Sequence, residues 1–226
     1  MSIQFLRPDT DPYFPDPQHA EDGLVAVGGD LSSERLLHAY DVGVFPWFSE
    51  REIPLWWAPD PRAVLEPDKL HVSRRLARRI AHGGFELTWN RAFRDVIREC
   101  GRLRSDGTWI HQAMVDAYVE LHELGHAHSL EVWVDGSLAA GLYGVQRGGL
   151  FAAESKFHRV RDMSKVALVA CSRTLARAGV ELFDVQFKTA HLERLGVQEW
   201  PRARYLRELE RVRGLPIGLR DIVPSL

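Results

Sequence analysis

The stretch SLEVWVDGSLAAGLYGVQRGGLFAAESKF, residues 129–157, decides the fold. SLEVWV and SLAAGLYGV are strand-like runs joined by Asp135-Gly136, a pair that readily takes the positive φ angles of a two-residue hairpin turn. GGLFAAESKF predicts a third strand. Ser164 is then placed to cap a long helix, KVALVACSRTLARA, which Gly179 stops. Next comes ELFDVQF, residues 181–187, a short run of clean alternation that reads as one more strand. A helix over roughly 201–212 and a Pro-rich tail follow. Antiparallel strands, a long helix and a further strand make an α+β layer.

Upstream the chain is less regular. GLVAVGGD, residues 23–30, predicts a short strand, and Ser32 or Ser33 caps a helix around ERLLHAYDVG with Gly43 as its stop. Residues 45–65, FPWFSEREIPLWWAPDPRAVL, hold three tryptophans and four prolines, too many breakers for one element. They read as a loop carrying aromatic plates, then a strand near Ala63–Leu65. Ser73 starts a basic helix, SRRLARRIAHGG; a strand at Phe85–Thr88 and a helix capped by Asn90 come next. Met114, Tyr118, Leu121 and Leu124 recur at helical spacing over residues 111–124, with Gly125 just after.

Composition sets the outer bounds. The 226 residues are 45% hydrophobic and 27% charged, the balance of an ordinary globular protein, with a formal charge of −2. That charge argues against non-specific DNA binding, and an RNA partner would need a local basic patch. Cys100 and Cys171 are too few for a disulfide framework or a cysteine-built zinc site. No apolar run approaches the roughly 20 residues of a membrane span. Acids and prolines near the start replace a secretory core, so cytoplasmic residence is expected.

The chemistry-bearing residues are few. Period two puts Phe183, Val185 and Phe187 on one face of ELFDVQF and Leu182, Asp184 and Gln186 on the other. If the apolar face looks into the core, Asp184 and Gln186 project together on the opposite side. They are either a functional pair, a solvated face or a hydrogen-bonded buried pair, since Asp inside a strand wants a reason. Glu154 sits among apolar neighbours in the third strand; a surface pair with Lys156 is the plainer reading. Trp47 and Trp109 could stack on a base as single-stranded nucleic-acid sites do, or pin a loop. For Trp56 and Trp57 pinning a loop is preferred. Arg74, Arg75, Arg78 and Arg79 line one side of the basic helix, suited to phosphates or to plain solvation.

His122-Glu123-Leu124-Gly125-His126 matches the zinc-peptidase pattern H-E-x-x-H. Gly125 lies where the helix is ending, Ser129 and Val132 break the longer motif, and a strand follows directly, so no metal site is assigned. Of a pyrophosphate loop for acetyl-CoA, Gln146 and Gly149 give only the first half, and Phe151 fills its last small position. No P-loop or G-x-G-x-x-G occurs.

LVAVGGDLS, GVFPWFS, WWAPDPRAVL, GTWI, AYVELHELGHAHSLEVW, LYGV, ESKF and FDVQ occur in that order from about residue 22 to 205. Together they resemble the leucyl/phenylalanyl-tRNA–protein transferase family. The resemblance implies a small N-terminal α/β domain, residues 1–62, and an acetyltransferase-like (GNAT) domain with a mixed sheet, residues 63–226, using no cofactor. It implies transfer of Leu, Phe or less readily Met from aminoacyl-tRNA to proteins beginning with Arg or Lys, marking them for degradation. The catalytic pair would be Asp184 and Gln186. Glu154, Trp47, Trp109, Tyr40, Tyr118, Leu142 and Lys156 would bind substrate, and Arg74, Arg75, Arg78 and Arg79 the tRNA. A monomer without membrane or DNA partners is expected. Lys156 stands where family members often have Met, in an apolar pocket; its head snorkels outward or the donor preference differs.

Overall fold

Two sheets sharing a core make up the computed structural model, which describes residues 4–8, 10–102 and 108–226. Gly107 of the GTWI motif and Leu103, the end of the helix expected after Asn90, lie outside the described residues. The first sheet is built from β1 (Gln4–Leu6), β2 (Leu24–Gly28), β3 (Phe45–Pro46) and β4 (Leu55–Trp57), with α1 (Ser33–Asp41) between β2 and β3. Its order is β1-β2-β4-β3, with β1 parallel to β2 and the other pairs antiparallel. The Ser32 hydroxyl accepts from the Arg35 N–H to open α1, and Gly43, at φ 81°, turns the chain after it. Trp56 is wholly buried and its indole N–H donates to the Gly28 carbonyl at 2.8 Å, so it is a core plate.

After β5 (Arg62–Leu65) come α2 (Arg74–His82), β6 (Glu86–Trp89), α3 (Phe93–Arg102), α4 (Gln112–Glu123), β7 (Ala127–Val134), β8 (Ser137–Arg147) and β9 (Leu150–His158). Then follow α5 (Met163–Ala178), β10 (Leu182–Gln186), α6 (Ala190–Glu193), β11 (Gln198–Trp200) and α7 (Arg202–Val212). The second sheet runs β11-β5-β10-β9-β8-β7-β6 and is mixed: β9 and β10 are parallel, every other neighbouring pair antiparallel. The fold is therefore α+β. Asp135 and Gly136 both take positive φ, 49° and 71°, which is the two-residue turn their sequence predicts.

Two expected caps are corrected. Asn90 does not cap α3: it takes φ 61° and its side chain serves His128, Ser129 and the Arg220 carbonyl. The N–H groups of Arg91 and Ala92, before the helix, donate instead to Glu131 on β7, at 3.4 and 3.3 Å. A buried carboxylate from a neighbouring strand thus does work that local sequence assigned to Asn90. Ser164 lies inside α5, which begins one residue earlier after Asp162 at φ 67°. That left-handed residue ends the β9 connection sooner than the Ser signal implies.

One apolar cluster joins the first sheet to the second through Leu36, Tyr40, Trp56, Ile97, Met114 and Tyr143. The other lies under α5, between Val166, Val169 and Leu175 and sheet residues such as Leu65, Leu130 and Phe183. Full burial of each such side chain contributes about 1.5–3 kcal/mol. No helix of the described residues is long and apolar enough to cross a membrane.

Candidate active site

The parallel pair sets up the site. β9 and β10 pair from Leu150↔Leu182 to Ala152↔Asp184 and no further, although β9 continues to His158. Beyond that point the strands part. The gap is a cleft of about 650 Å³, walled by Ala153, Glu154, Ser155 and Lys156 from β9 and by Val185 and Gln186 from β10. Leu142, Leu168 and Leu192 give it apolar lining; Arg75, His158, Arg161, Asp162 and Lys165 also line it. Leu142 pairs with Lys156 across β8 and β9, so they share a face.

Asp184 and Gln186 do not project side by side, which corrects the expectation drawn from alternation. The β10–β5 register shifts between them, and Gln186 takes φ 56°. Phe187 N–H bonds back to the Val185 carbonyl at 2.7 Å, a three-residue turn centred on Gln186. A left-handed non-Gly residue costs about 1 kcal/mol or more and needs support. Asp184 gives it, accepting the Gln186 N–H on Oδ1 at 2.9 Å. The turn sends the two side chains apart: Gln186 lines the cleft, while Asp184, 0% exposed, is sealed behind it.

Arg62 and Tyr205 complete that seal. Arg62 Nε and Nη2 donate to Oδ1 and Oδ2 at 2.9 and 2.6 Å, and the Tyr205 hydroxyl donates to Oδ2 at 2.9 Å. Arg62 is stacked between Phe45 and Tyr205, 4.7 and 4.5 Å from their ring centres. Burial opposes the guanidinium charge, yet Asp184 and Tyr205 leave its pKa above the ordinary value. Tyr205 is held well above a free phenol by burial and then by Asp184. Gln186 itself is 8% exposed, and its buried Nε2 donor has no acceptor among the described residues. A buried donor of that kind costs stability unless something supplies an oxygen.

On the facing wall Glu154 is met by two hydroxyls. Tyr40 on α1 donates to Oε1 at 2.7 Å, Tyr118 on α4 reaches Oε2 at 3.3 Å, and the two hydroxyls lie 2.6 Å apart. Burial pushes the Glu154 carboxyl up to about 8, against the lowering effect of the Tyr40 bond. Both tyrosines are raised well above their usual value, chiefly by burial and then by Glu154, so they remain donors.

The other expected site residues lie around this centre. Trp47, 46% exposed, leans on Phe187 with ring centres 5.5 Å apart, beside the Gln186 turn. With Trp109 and Trp57 it lines a separate hollow of about 670 Å³. The α2 arginines divide: Arg74, Arg75 and Arg78 are exposed, and Arg75 reaches the cleft beside Asp162 at 3.5 Å. Arg79 instead donates to the Gly83 carbonyl at 2.7 Å and covers Phe85. His122 stacks flat on Phe93, and α4 ends at Glu123, before His126. Among the described residues no group of three or more His, Cys, Asp and Glu is placed to hold a metal.

Arg62 and Tyr205 escaped the sequence reading. Arg62, a cation heading the otherwise apolar strand RAVL, could have been matched to the acid in LFDVQ. Nothing local marked Tyr205, which sits on the apolar stripe of α7 with Leu209 and Val212.

Comparison with known proteins agrees in sequence along most of the chain. A family model described as leucyl/phenylalanyl-tRNA protein transferase matches residues 64–210, and one for the N-terminal domain of that transferase matches residues 29–60. The leucyl/phenylalanyl-tRNA–protein transferase of Anaeromyxobacter sp. (strain Fw109-5) is 56% identical over 207 residues, 90% of this chain and 88% of its own length. That of Tolumonas auensis is 48% identical over 218 residues, 94% of this chain and 93% of its own. That of Myxococcus xanthus is 48% identical over 215 residues, 93% and 92%. Among solved structures, a GCN5-related N-acetyltransferase from Kribbella flavida has a TM-score of 0.39 at 11% identity, covering 70% of this chain and 57% of that one. Likeness at that level is slight.

Proposed function

The chain belongs to the leucyl/phenylalanyl-tRNA–protein transferase family, and from that premise we propose that its β9–β10 cleft joins an apolar amino acid to a protein N-terminus by ester aminolysis. The donors are Leu and Phe, with Met less readily used, carried as aminoacyl-tRNA. The acceptors are proteins beginning with Arg or Lys, which the added residue marks for degradation. One observation supports this cleft above all: a buried carboxamide donor with no acceptor among the described residues, facing apolar lining. An ester carbonyl placed there would accept from Gln186 Nε2, and the bond would strengthen as the carbonyl oxygen gains charge in the transition state.

An aminoacyl ester is already activated, so the reaction needs mainly two reactants held in line. The donor side chain would lie against Leu142, Leu168 and Leu192, with Lys156 at the wall, where it bears on the choice among donors. Trp47 and Trp109 would plate the terminal adenosine. Arg74, Arg75 and Arg78 would take tRNA phosphates, with Arg79 supporting their helix. Asp184 acts through Gln186, by fixing its turn, and does not itself meet the amine. Residues 1–62 would act as an N-terminal α/β domain and 63–226 as the GNAT-like transferase domain, in a cytoplasmic monomer.

The test is a transfer assay with labelled Leu-tRNA and Phe-tRNA and peptides beginning with Arg, Lys or Ala. Transfer to the Arg and Lys peptides, weak for Ala and lowered about 10²- to 10³-fold in Gln186→Ala, is the expected result. Binding of tRNA without any transfer would leave a non-catalytic tRNA-binding module instead.

A further inference from the structure

We propose that Glu154 is the proton acceptor of the transfer reaction, held and reset by Tyr40 and Tyr118. The proposal rests on the aminoacyl-transfer reading above and assigns it a step that the reading leaves open: where the proton of the attacking amine goes.

Among the described residues, Glu154 and Asp162 line the cleft and Asp184 lies behind it, and the last two are spent. Asp184 has Arg62 and the Gln186 N–H on Oδ1 and Arg62 and Tyr205 on Oδ2, and is fully buried on the far side of the turn. Asp162 is tied to Lys165 at 2.8 Å, with Arg75 and Arg161 nearby, and these cations hold its carboxyl below the usual range. Asp162, so stabilised, is a poor base.

Glu154 differs in both respects. It lines the same cleft as Gln186, and its hydrogen bonds come from neutral hydroxyls. The groups that face it are Tyr40 from α1 and Tyr118 from α4, with Asp184 on β10 and Arg62 on β5 acting at longer range. Burial places its carboxyl near 8, so its carboxylate is a stronger base than an ordinary glutamate's and is suited to take a proton from the attacking nitrogen.

The step balances without a co-reactant. The neutral α-amine attacks the ester carbon, the new N–C bond forms, and the carbonyl electron pair moves to oxygen at Gln186 Nε2. The nitrogen, now positive, gives its proton to the Glu154 carboxylate. As the carbonyl re-forms, the C–O bond to the ribose breaks, and the departing oxygen takes that proton from the Glu154 carboxyl. An amide and a free ribose hydroxyl result, with Glu154 again a carboxylate. The Tyr40 and Tyr118 hydroxyls stay protonated and keep both carboxyl oxygens aimed.

The test is Glu154→Gln, which keeps the shape and an oxygen for the tyrosines. Single-turnover transfer of Phe would be followed to one peptide with an ordinary α-amine and to its analogue bearing an aminooxy nitrogen, a weak base that sheds its proton to water. The variant should lose about 10²- to 10⁴-fold with the amine and less than tenfold with the aminooxy acceptor. Equal loss with both acceptors would overturn the proposal, because it would mean that Glu154 only binds or braces; so would an undiminished amine rate. Tyr40→Phe supplies a second readout. It removes a bond that favours the carboxylate, so the pH midpoint of the amine reaction should move upward while the aminooxy reaction keeps its own, and an unmoved amine midpoint contradicts the relay. This arm decides the matter if Glu154→Gln fails to fold. A wild-type enzyme that transfers to neither acceptor would sink the transferase reading, and this proposal with it.

Discussion

Asp184 and Glu154 are both acids near the point where β9 and β10 part, and the protein treats them in opposite ways. Asp184 faces a guanidinium, a phenol and a backbone N–H in a fully buried site. Glu154 is met by two tyrosine hydroxyls, and it borders a cleft. A charge neutralised by a fixed guanidinium becomes a strut. A charge that burial discourages and hydroxyls merely steer stays ready to trade a proton. The difference divides the site into a frame, which holds Gln186 in a strained turn, and a working wall opposite it.

The sharpest test of that division is Gln186→Ala. Removing the donor should lower single-turnover transfer about 10²- to 10³-fold with little change in melting temperature. A comparable fall in stability would place Gln186 in the frame.

The frame should answer differently. Arg62→Met or Asp184→Leu alone leaves one buried charge unpaired and should cost about 3–5 kcal/mol in a urea melt. The double variant should regain most of that stability without regaining transfer, since no carboxylate then holds the Gln186 N–H. Recovery of full activity would show that the turn stands unaided. Tyr205→Phe removes one hydrogen bond to Asp184, and should cost about 1.5–3 kcal/mol and lower kcat with KM unchanged.

A separate effect lies in the pH dependence of stability. Glu154 has a folded pKa of about 8 against 4.5 for an ordinary glutamate, so between these values the folded chain holds a proton that the unfolded chain has released. Its contribution is complete below about 4.5 and is lost as the pH rises through 8. Melts of wild type and Glu154→Gln at pH 5 and pH 9 should therefore diverge, with wild type losing more on the alkaline side. Parallel curves would mean that Glu154 titrates as if in water.

The strands β7 to β9 were legible because their signals are local: an Asp-Gly turn, then alternation on either side. The sequence resemblance brought Glu154, Tyr40 and Tyr118 forward, and the structure places all three in one hydrogen-bonded group. Alternation misled at β10. Period two holds only while the register does, and one left-handed residue at Gln186 sends Asp184 and its neighbour to different places. The partner that explains Asp184 lies 122 residues away in sequence, so no window along the chain reveals it. Asn90 failed as a cap for the same reason: Glu131, from another strand, supplied the acceptor.

The central claim is that the reacting ester sits against Gln186 and opposite Glu154, with Asp184 out of contact. A crystal structure with a non-hydrolysable phenylalanyl-adenosine amide measures this directly. The expected result is the amide oxygen within about 3 Å of Gln186 Nε2, the phenyl ring against Leu142 and Leu168, and Asp184 still paired with Arg62. An analogue seated elsewhere, or an Asp184 carboxylate that leaves Arg62 to meet the amide, would contradict it.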